Sequence, residues 1–240
     1  MKVEAIKTRI IKPRDDILDI LDKYLLILVE GDIVAVTSKI VAICEGRIVD
    51  NFNKSKLIRK EADFYLPTKN KSEIMLTIKN NILIPNAGID ESNANGKLIL
   101  WPKNPWQSAE KIRKYLAKKF NLQKIGIIIT DSKTTPLRFG TTGVALACSG
   151  FEPVKDYIGS RDIFGRKLEV TKANIADGLA ATAVLVMGEG SEMTPIARIS
   201  EVPFVNFNSS LSSSQMMDEL TIKPEKDLYS PILNKVKWQK

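Results

Sequence analysis

Ile125-Gly126-Ile127-Ile128-Ile129 is an apolar run that turns polar at once, at Thr130-Asp131-Ser132. A run this short, with no polar residue alternating along it, reads as a buried strand. A chain built around such a strand needs other elements to cover it, and strand and helix signals interleave along this chain, an α/β pattern whose irregular spacing does not make a clean doubly wound sheet. Ile33-Val34-Ala35-Val36 repeats the pattern and ends in the same way, at Thr37-Ser38-Lys39. Polar groups gathered at strand ends are well placed to contact phosphate.

A second polar break answers the first. Asn86-Ala87-Gly88-Ile89-Asp90-Glu91-Ser92-Asn93 follows the apolar Ile82-Leu83-Ile84-Pro85. Each break sets a carboxylate, Asp90 or Asp131, beside hydroxyl or amide side chains. Mg²⁺ is commonly held by one or two carboxylates together with substrate phosphates, so the pair reads as a metal–phosphate site. The plainer alternative is two unrelated polar turns, where Asp, Asn and Ser recur for local hydrogen-bonding reasons. The chain contains no histidine. That removes Ser-His and Cys-His nucleophile pairs and His-ligated zinc, leaves acid–base work to carboxylate, lysine, tyrosine or water, and favours Mg²⁺ or Mn²⁺ among oxygens.

With 240 residues, 44% of them apolar and 27% charged, the chain can bury a substantial core. No apolar run is long enough for a bilayer span and no signal-peptide core follows Met1, so no membrane partner and a cytoplasmic location are expected. Cys44 and Cys148 are isolated and are expected to be unpaired. The net charge of +8 arises from stretches such as Lys54–Lys60, Lys69–Lys71 and Lys111–Lys119. They lack interleaved aromatics and a recognition-helix pattern, so nucleic acid is not an expected partner. There is no P-loop, and Gly188-Glu189-Gly190 lacks the strand context and third glycine of a dinucleotide site. Gly140-Thr141-Thr142-Gly143 is either a phosphate-cradling loop or a plain turn.

Residues 3–11 read as a strand. Asp15 or Asp16 then caps a helix whose apolar face is Ile17, Leu18, Leu21, Tyr24 and Leu25. Leu98–Trp101 reads as a strand, and Asn104-Pro105 opens a helix with Ile112, Leu116 and Phe120 on its buried side. An alanine-rich helix runs from Asn174 to about Met187 and stops at Gly188. A late strand is expected at 203–207. Ser209–Ser214 reads as a flexible loop. The division expected is a main domain over 1–207 and a Ser-rich loop with a polar C-terminal extension over 208–240.

Taken in order, Thr37-Ser38-Lys39-Ile40-Val41, Glu45-Gly46-Arg47, the 86–93 segment, Thr130-Asp131-Ser132, Asp162-Ile163-Phe164-Gly165-Arg166 and the 176–188 helix resemble one family, the coenzyme F-420-0:γ-glutamyl ligases. The resemblance covers residues 1 to about 207. It implies a two-lobed, dimeric α+β fold of mixed sheets. It also implies a ligase that uses GTP or ATP and Mg²⁺ or Mn²⁺ to join L-glutamate to a carboxylate-bearing cofactor, F-420-0 or a reduced folate. By the same resemblance Asp90 and Asp131 are the catalytic, metal-holding carboxylates, with Ser132 and Glu189 as further ligands. Ser38, Lys39, Asn93, Arg138 and Gly188 would serve the nucleotide or substrate. The chain departs from the family pattern at Ile43, where a lysine is usual, at Gly143, where an aspartate is usual, and at Ile158, where an arginine is usual. Loss of charge there favours a folate-like acceptor lacking a phosphodiester, and leaves a non-catalytic nucleotide-binding homologue as the alternative.

Overall fold

The computed structural model describes residues 1–50, 53–67, 74–208 and 210–240. The Lys69–Lys71 stretch and Ser209 lie outside them. In chain order the elements are β1 (Lys2–Ile6), α1 (Ile17–Tyr24), β2 (Asp32–Thr37), α2 (Ser38–Cys44), β3 (Ile48–Asp50), α3 (Lys54–Glu61), β4 (Phe64–Tyr65), β5 (Leu76–Lys79), β6 (Ile82–Pro85), β7 (Lys97–Ile99), α4 (Pro105–Phe120), β8 (Ile125–Thr134), β9 (Thr141–Ser149), β10 (Val154–Asp156), β11 (Lys172–Asn174), α5 (Ile175–Met187), β12 (Ile196–Ser200), α6 (Ser213–Leu220) and α7 (Ser230–Leu233).

The largest sheet has five strands in the order β1-β12-β2-β8-β9. β2 and β8, the two apolar runs, form its centre and pair in parallel, Asp32 opposite Ile125 through Thr37 opposite Thr130. The other neighbours are antiparallel. Side chains alternate across a strand, so both faces of this centre are apolar. Val34, Val36, Ile127 and Ile129 pack under α1, α2 and α4, against Leu21, Val41, Ile112 and Leu116. Ile33, Ala35, Ile128 and Ala197 pack against the small residues Ala176, Ala180 and Ala183 of α5 and against Met216 of α6. Each fully buried Ile or Leu contributes about 1.5–3 kcal/mol.

Helix ends follow the local chemistry. Asp16 accepts from the Leu18 N–H, Asn104 from the Gln107 N–H and Asn174 from the Asp177 N–H, each capping a helix start. Gly188 takes φ +81° as α5 ends.

Between α2 and α4 the chain builds two small antiparallel sheets, β3-β7 and β4-β5-β6. Their cluster joins Ile58 of α3 to Met75, Ala87, Ile89, Leu98 and Leu100. This segment carries Asp90.

Four expectations change. The first strand stops at Ile6, because Thr8 donates its N–H to the Met193 carbonyl at 2.8 Å instead of extending the ladder. β8 continues through Asp131 to Thr134, so that carboxylate lies inside a strand instead of at a break. No strand forms at 203–207: Pro203 has no N–H to give and Phe204 takes φ +64°, so only a Phe151–Phe207 bridge remains. The last strand of the large sheet is β12 instead. Finally, the Ser-rich patch starts a helix. Ser212 accepts from the Gln215 N–H while the Gln215 side chain accepts from the Ser212 N–H. Beyond α6 the chain reaches β4, where Gln239 and Tyr65 exchange two 2.9 Å backbone hydrogen bonds.

Candidate active site

The parallel register decides what meets what. The parallel pairing stops at Thr37 opposite Thr130, so β2 gives way to Ser38-Lys39 where β8 continues into Asp131-Ser132. Asp90 arrives from the small sheets. Its backbone N–H and C=O both bond Ile99, each at 2.9 Å. The turn before it has three successive left-handed residues, Asn86 (φ 55°), Ala87 (φ 53°) and Gly88 (φ 70°). Such a backbone costs about 1–2 kcal/mol at a non-glycine residue. Buried hydrogen bonds offset it: Ala87 N–H donates to Thr77 Oγ1 at 2.8 Å, and Met75 N–H to Asn86 Oδ1 at 2.8 Å. Backbone held in this way collects at functional sites.

Lys39 reaches across to the Asp90 loop. Its Nζ lies 2.7 Å from Asp90 Oδ2 and donates to Ser92 Oγ at 2.8 Å and to the Ser92 carbonyl at 3.0 Å. Ser92 in turn donates its N–H to Asp90 Oδ1 at 2.6 Å and its hydroxyl to Oδ2 at 3.0 Å. A cation, here an ammonium, thus sits among carboxylate, hydroxyl and carbonyl oxygens. Burial alone would raise the Asp90 pKa, but the Lys39 ammonium and the Ser92 donors outweigh it and hold the carboxyl below its ordinary value.

Asp131 is treated in the opposite way. Burial pushes its pKa up to about 6, aided by the negative charge of Asp90 and opposed by the Ser132 N–H, the Trp101 indole N–H and Lys39. The Trp101 Nε1–H donates to Asp131 Oδ2. Two carboxylates with pKa values shifted in opposite directions, a lysine ammonium acting on both and no histidine form an electrostatically uneven centre of the kind found at reacting groups.

A neighbouring group completes the surroundings. Ser132 Oγ donates to Glu189 Oε1 at 2.7 Å, and Thr141 Oγ1 to the same oxygen at 3.3 Å. Asn93 Nδ2 donates to the Gly190 carbonyl at 2.9 Å, tying the 90–93 loop to the turn after α5. Gly188 caps α5, its N–H donating to the Val184 carbonyl at 2.9 Å. Ser38 is buried at the start of α2. So Lys39, Asp90, Ser92 and Asp131 form one cluster, and Ser132, Glu189 and Thr141 a second beside it. Arg138 stands apart, exposed on the β8–β9 turn with no ion pair among the described residues. No three of Asp, Glu, His or Cys converge among the described residues. Two carboxylates with hydroxyl and carbonyl oxygens nevertheless suit a hard divalent cation that takes its remaining ligands from water and phosphate.

The profile of a protein family described as F420-0:Gamma-glutamyl ligase matches residues 5–201. The chain belongs to this family. Among its curated relatives, the coenzyme F420:L-glutamate ligase of Archaeoglobus fulgidus is 35% identical over 216 residues, 81% of this chain and 86% of that one. The enzyme of the same name from Methanocaldococcus jannaschii is 34% identical over 200 residues, 74% and 79% of the two chains. That from Methanosarcina mazei is 49% identical over 115 residues, 48% and 45%. The profile match ends at residue 201, just after β12, so α6, α7 and the Gln239 side of the Tyr65–Gln239 bridge lie beyond it.

For a member of this family, two of the three sequence departures have a packing explanation. Ile43 belongs to the core under the large sheet. A Cβ at Gly143 would overlap the Ala180 carbonyl oxygen and lie 2.8 Å from Val184 Cβ, so α5 occupies the place of any side chain there. Ile158 alone is half exposed, at 50%. Thr141 stands in the Gly140–Gly143 segment already marked by its composition, whereas Trp101 carried no site signal. Trp101 stood in an apolar run that signalled a strand, and nothing local marks an indole that reaches thirty residues along the chain. No helix among the described residues is long and apolar enough to cross a membrane.

Proposed function

We propose that this protein is a nucleotide- and divalent-metal-dependent γ-glutamyl ligase that adds L-glutamate to F-420-0. The observation that carries the reading is the pair of carboxylates Asp90 and Asp131 within electrostatic reach of Lys39, whose ammonium is held by Asp90 and Ser92 just past the end of β2. Asp90, Asp131, Ser132 and Glu189 are the groups to hold Mg²⁺ or Mn²⁺, which when bound would neutralise charge on a transferring phosphoryl group. The acceptor's carboxylate attacks the γ-phosphate of GTP or ATP, releasing the nucleoside diphosphate. The amine of L-glutamate then displaces phosphate from the acyl phosphate and forms the amide.

The chain's own groups supply position and charge. Lys39 is free to exchange its Asp90 contact for a phosphate oxygen, since both are charge-assisted hydrogen bonds of similar length. Asn93, Ser38 and Gly188 are the groups assigned to the nucleotide, and Arg138, exposed on the β8–β9 turn, is assigned to substrate. Leu137 and Phe139 beside it are fully exposed, as is most of Ile163 and Phe164. Exposed apolar groups of this size mark surfaces that bind something, and a homodimer is the assembly we assign to them.

F-420-0 is placed ahead of a folate because the curated relatives carry the name coenzyme F420:L-glutamate ligase, and because Ile43 and Gly143 stand in packed interior, which leaves only the exposed Ile158 to alter an acceptor contact. The test supplies labelled L-glutamate, Mg²⁺ or Mn²⁺ and either nucleotide to each acceptor in turn. Labelled F-420-0 is expected, with tetrahydrofolate a poor substitute. Faster labelling of the folate would reverse the acceptor assignment. Nucleotide binding without labelling of either acceptor would establish the non-catalytic alternative.

A further inference from the structure

Trp101 is 1% exposed, yet its indole ends on Asp131, which has a polar task in the reading above. Every side of the ring is held. Gly88 lies against its nitrogen edge, where a Cβ would overlap Nε1 and Cε2. Ile84, Val144 and Leu146 pack around it. The Lys79 ammonium stands over the ring at 5.4 Å, and Arg47 Nε donates to the Trp101 carbonyl at 3.0 Å. Both cations are tied to one carboxylate, Glu61 Oε2, Lys79 at 2.8 Å and Arg47 at 2.7 Å. Such a network holds the indole in one orientation, because moving the ring would break several contacts together.

This rigidity has one polar outlet, the Nε1–H. No other side chain among the described residues donates to the Asp131 carboxylate. An N–H fixed on Oδ2, with the Ser132 N–H as the backbone donor to the same carboxylate, restrains the carboxylate from turning. Groups that orient a metal-holding side chain in this way typically change metal affinity about 10- to 100-fold when removed.

We infer that Trp101 is the positioning residue of Asp131, its clamped indole N–H setting the orientation in which that carboxylate would be presented to a divalent cation. The inference rests on the metal-dependent reading above and adds a residue to it. Burial against apolar neighbours explains why an aromatic side chain stands at 101. It does not explain an indole nitrogen aimed at the carboxylate, with glycine beside it and two cations fixing the ring and the chain.

The test uses the full chain and reads binding without turnover. Titrated with Mn²⁺ and followed by the paramagnetic resonance of the free ion, Trp101→Phe should bind about 10- to 100-fold more weakly than the wild type while melting cooperatively. Asp131→Asn should lose binding further. Wild-type affinity in Trp101→Phe, with binding lost in Asp131→Asn, would overturn the positioning role and leave the metal site standing. Wild-type affinity in Asp131→Asn would instead refute the metal site itself. Should Trp101→Phe not fold, the wild type decides the matter. Of the three tryptophan indole N–H resonances, that of Trp101, identified by elimination with Trp106→Phe and Trp238→Phe, should shift when Mg²⁺ is added while the others hold. An unmoved Trp101 resonance at a Mg²⁺ concentration that displaces bound Mn²⁺ would overturn the inference.

Discussion

At the scale of single residues, Asp90 and Asp131 divide the work by environment. Asp90 is kept ionised by Lys39 and Ser92, and Asp131 is pushed up to about 6 by burial. Replacing either by Asn should lower ligation by more than about 100-fold, beyond the usual cost of losing a merely orienting group. Near-normal kcat at saturating metal in either variant would contradict that. Asp131 also leaves a mark on stability. Its pKa of about 6 in the fold exceeds the ordinary 3.8, so the folded state binds its proton more tightly than the unfolded chain does. Protonated in both states below about pH 4, it costs nothing there. Ionisation works against folding progressively from about pH 4 to 6, and above that by about 3 kcal/mol. In chelator, Asp131→Asn should therefore melt higher than wild type at pH 8, the gap shrinking toward pH 4. A gap independent of pH would show that the carboxylate is not penalised. Stability gained as activity is lost is the exchange expected at a strained functional centre.

At the scale of elements, the bulge in β9 is the device that joins core to site. The ladder pairs Ile129 with Ala147 but Thr130 with Ala145, so Leu146 is the extra residue. Leu146 then joins Val144 against Trp101, below Asp131. The same strand brings Gly143 against the backbone of α5. Gly143→Ala should therefore destabilise by about 1–3 kcal/mol through overpacking, measured by urea denaturation. An unchanged midpoint would mean that α5 yields more readily than its close packing implies. Elements with strong local signals were legible in the sequence: the runs at 33–36 and 125–129, the Asn104-Pro105 start and the Asn174 cap. Period and capping chemistry act within a few residues and need no tertiary knowledge. The bulge, the strand at 196–200 and the extension of β8 through Asp131 were not legible, since each depends on partners far along the chain. Residues 203–207 are apolar enough for a strand, but Pro203 has no N–H to give and Phe204 is left-handed, so none forms. In the site, the 86–93 and 130–132 segments stood out by composition. The Lys39–Asp90 pair and the Trp101–Asp131 bond did not, because parallel pairing and sheet packing create them.

For the whole molecule, a five-stranded mixed sheet is covered on both faces, and the smaller sheets deliver Asp90 to Lys39 just past the end of β2. The exposed Leu137 and Phe139 belong to the same β8–β9 arm as Arg138. If this arm is a dimer contact, Leu137→Glu with Phe139→Glu should give a monomer by light scattering where the wild type gives a dimer. A wild-type monomer with full activity would refute the assembly. The ligase assignment as a whole turns on where the acceptor's oxygen goes. F-420-0 labelled with ¹⁸O in its terminal carboxylate, supplied with L-glutamate, nucleotide and Mg²⁺, should yield the glutamyl amide and one ¹⁸O in the released phosphate for each amide formed. Absence of amide, or amide accompanied by phosphate free of ¹⁸O, would contradict it.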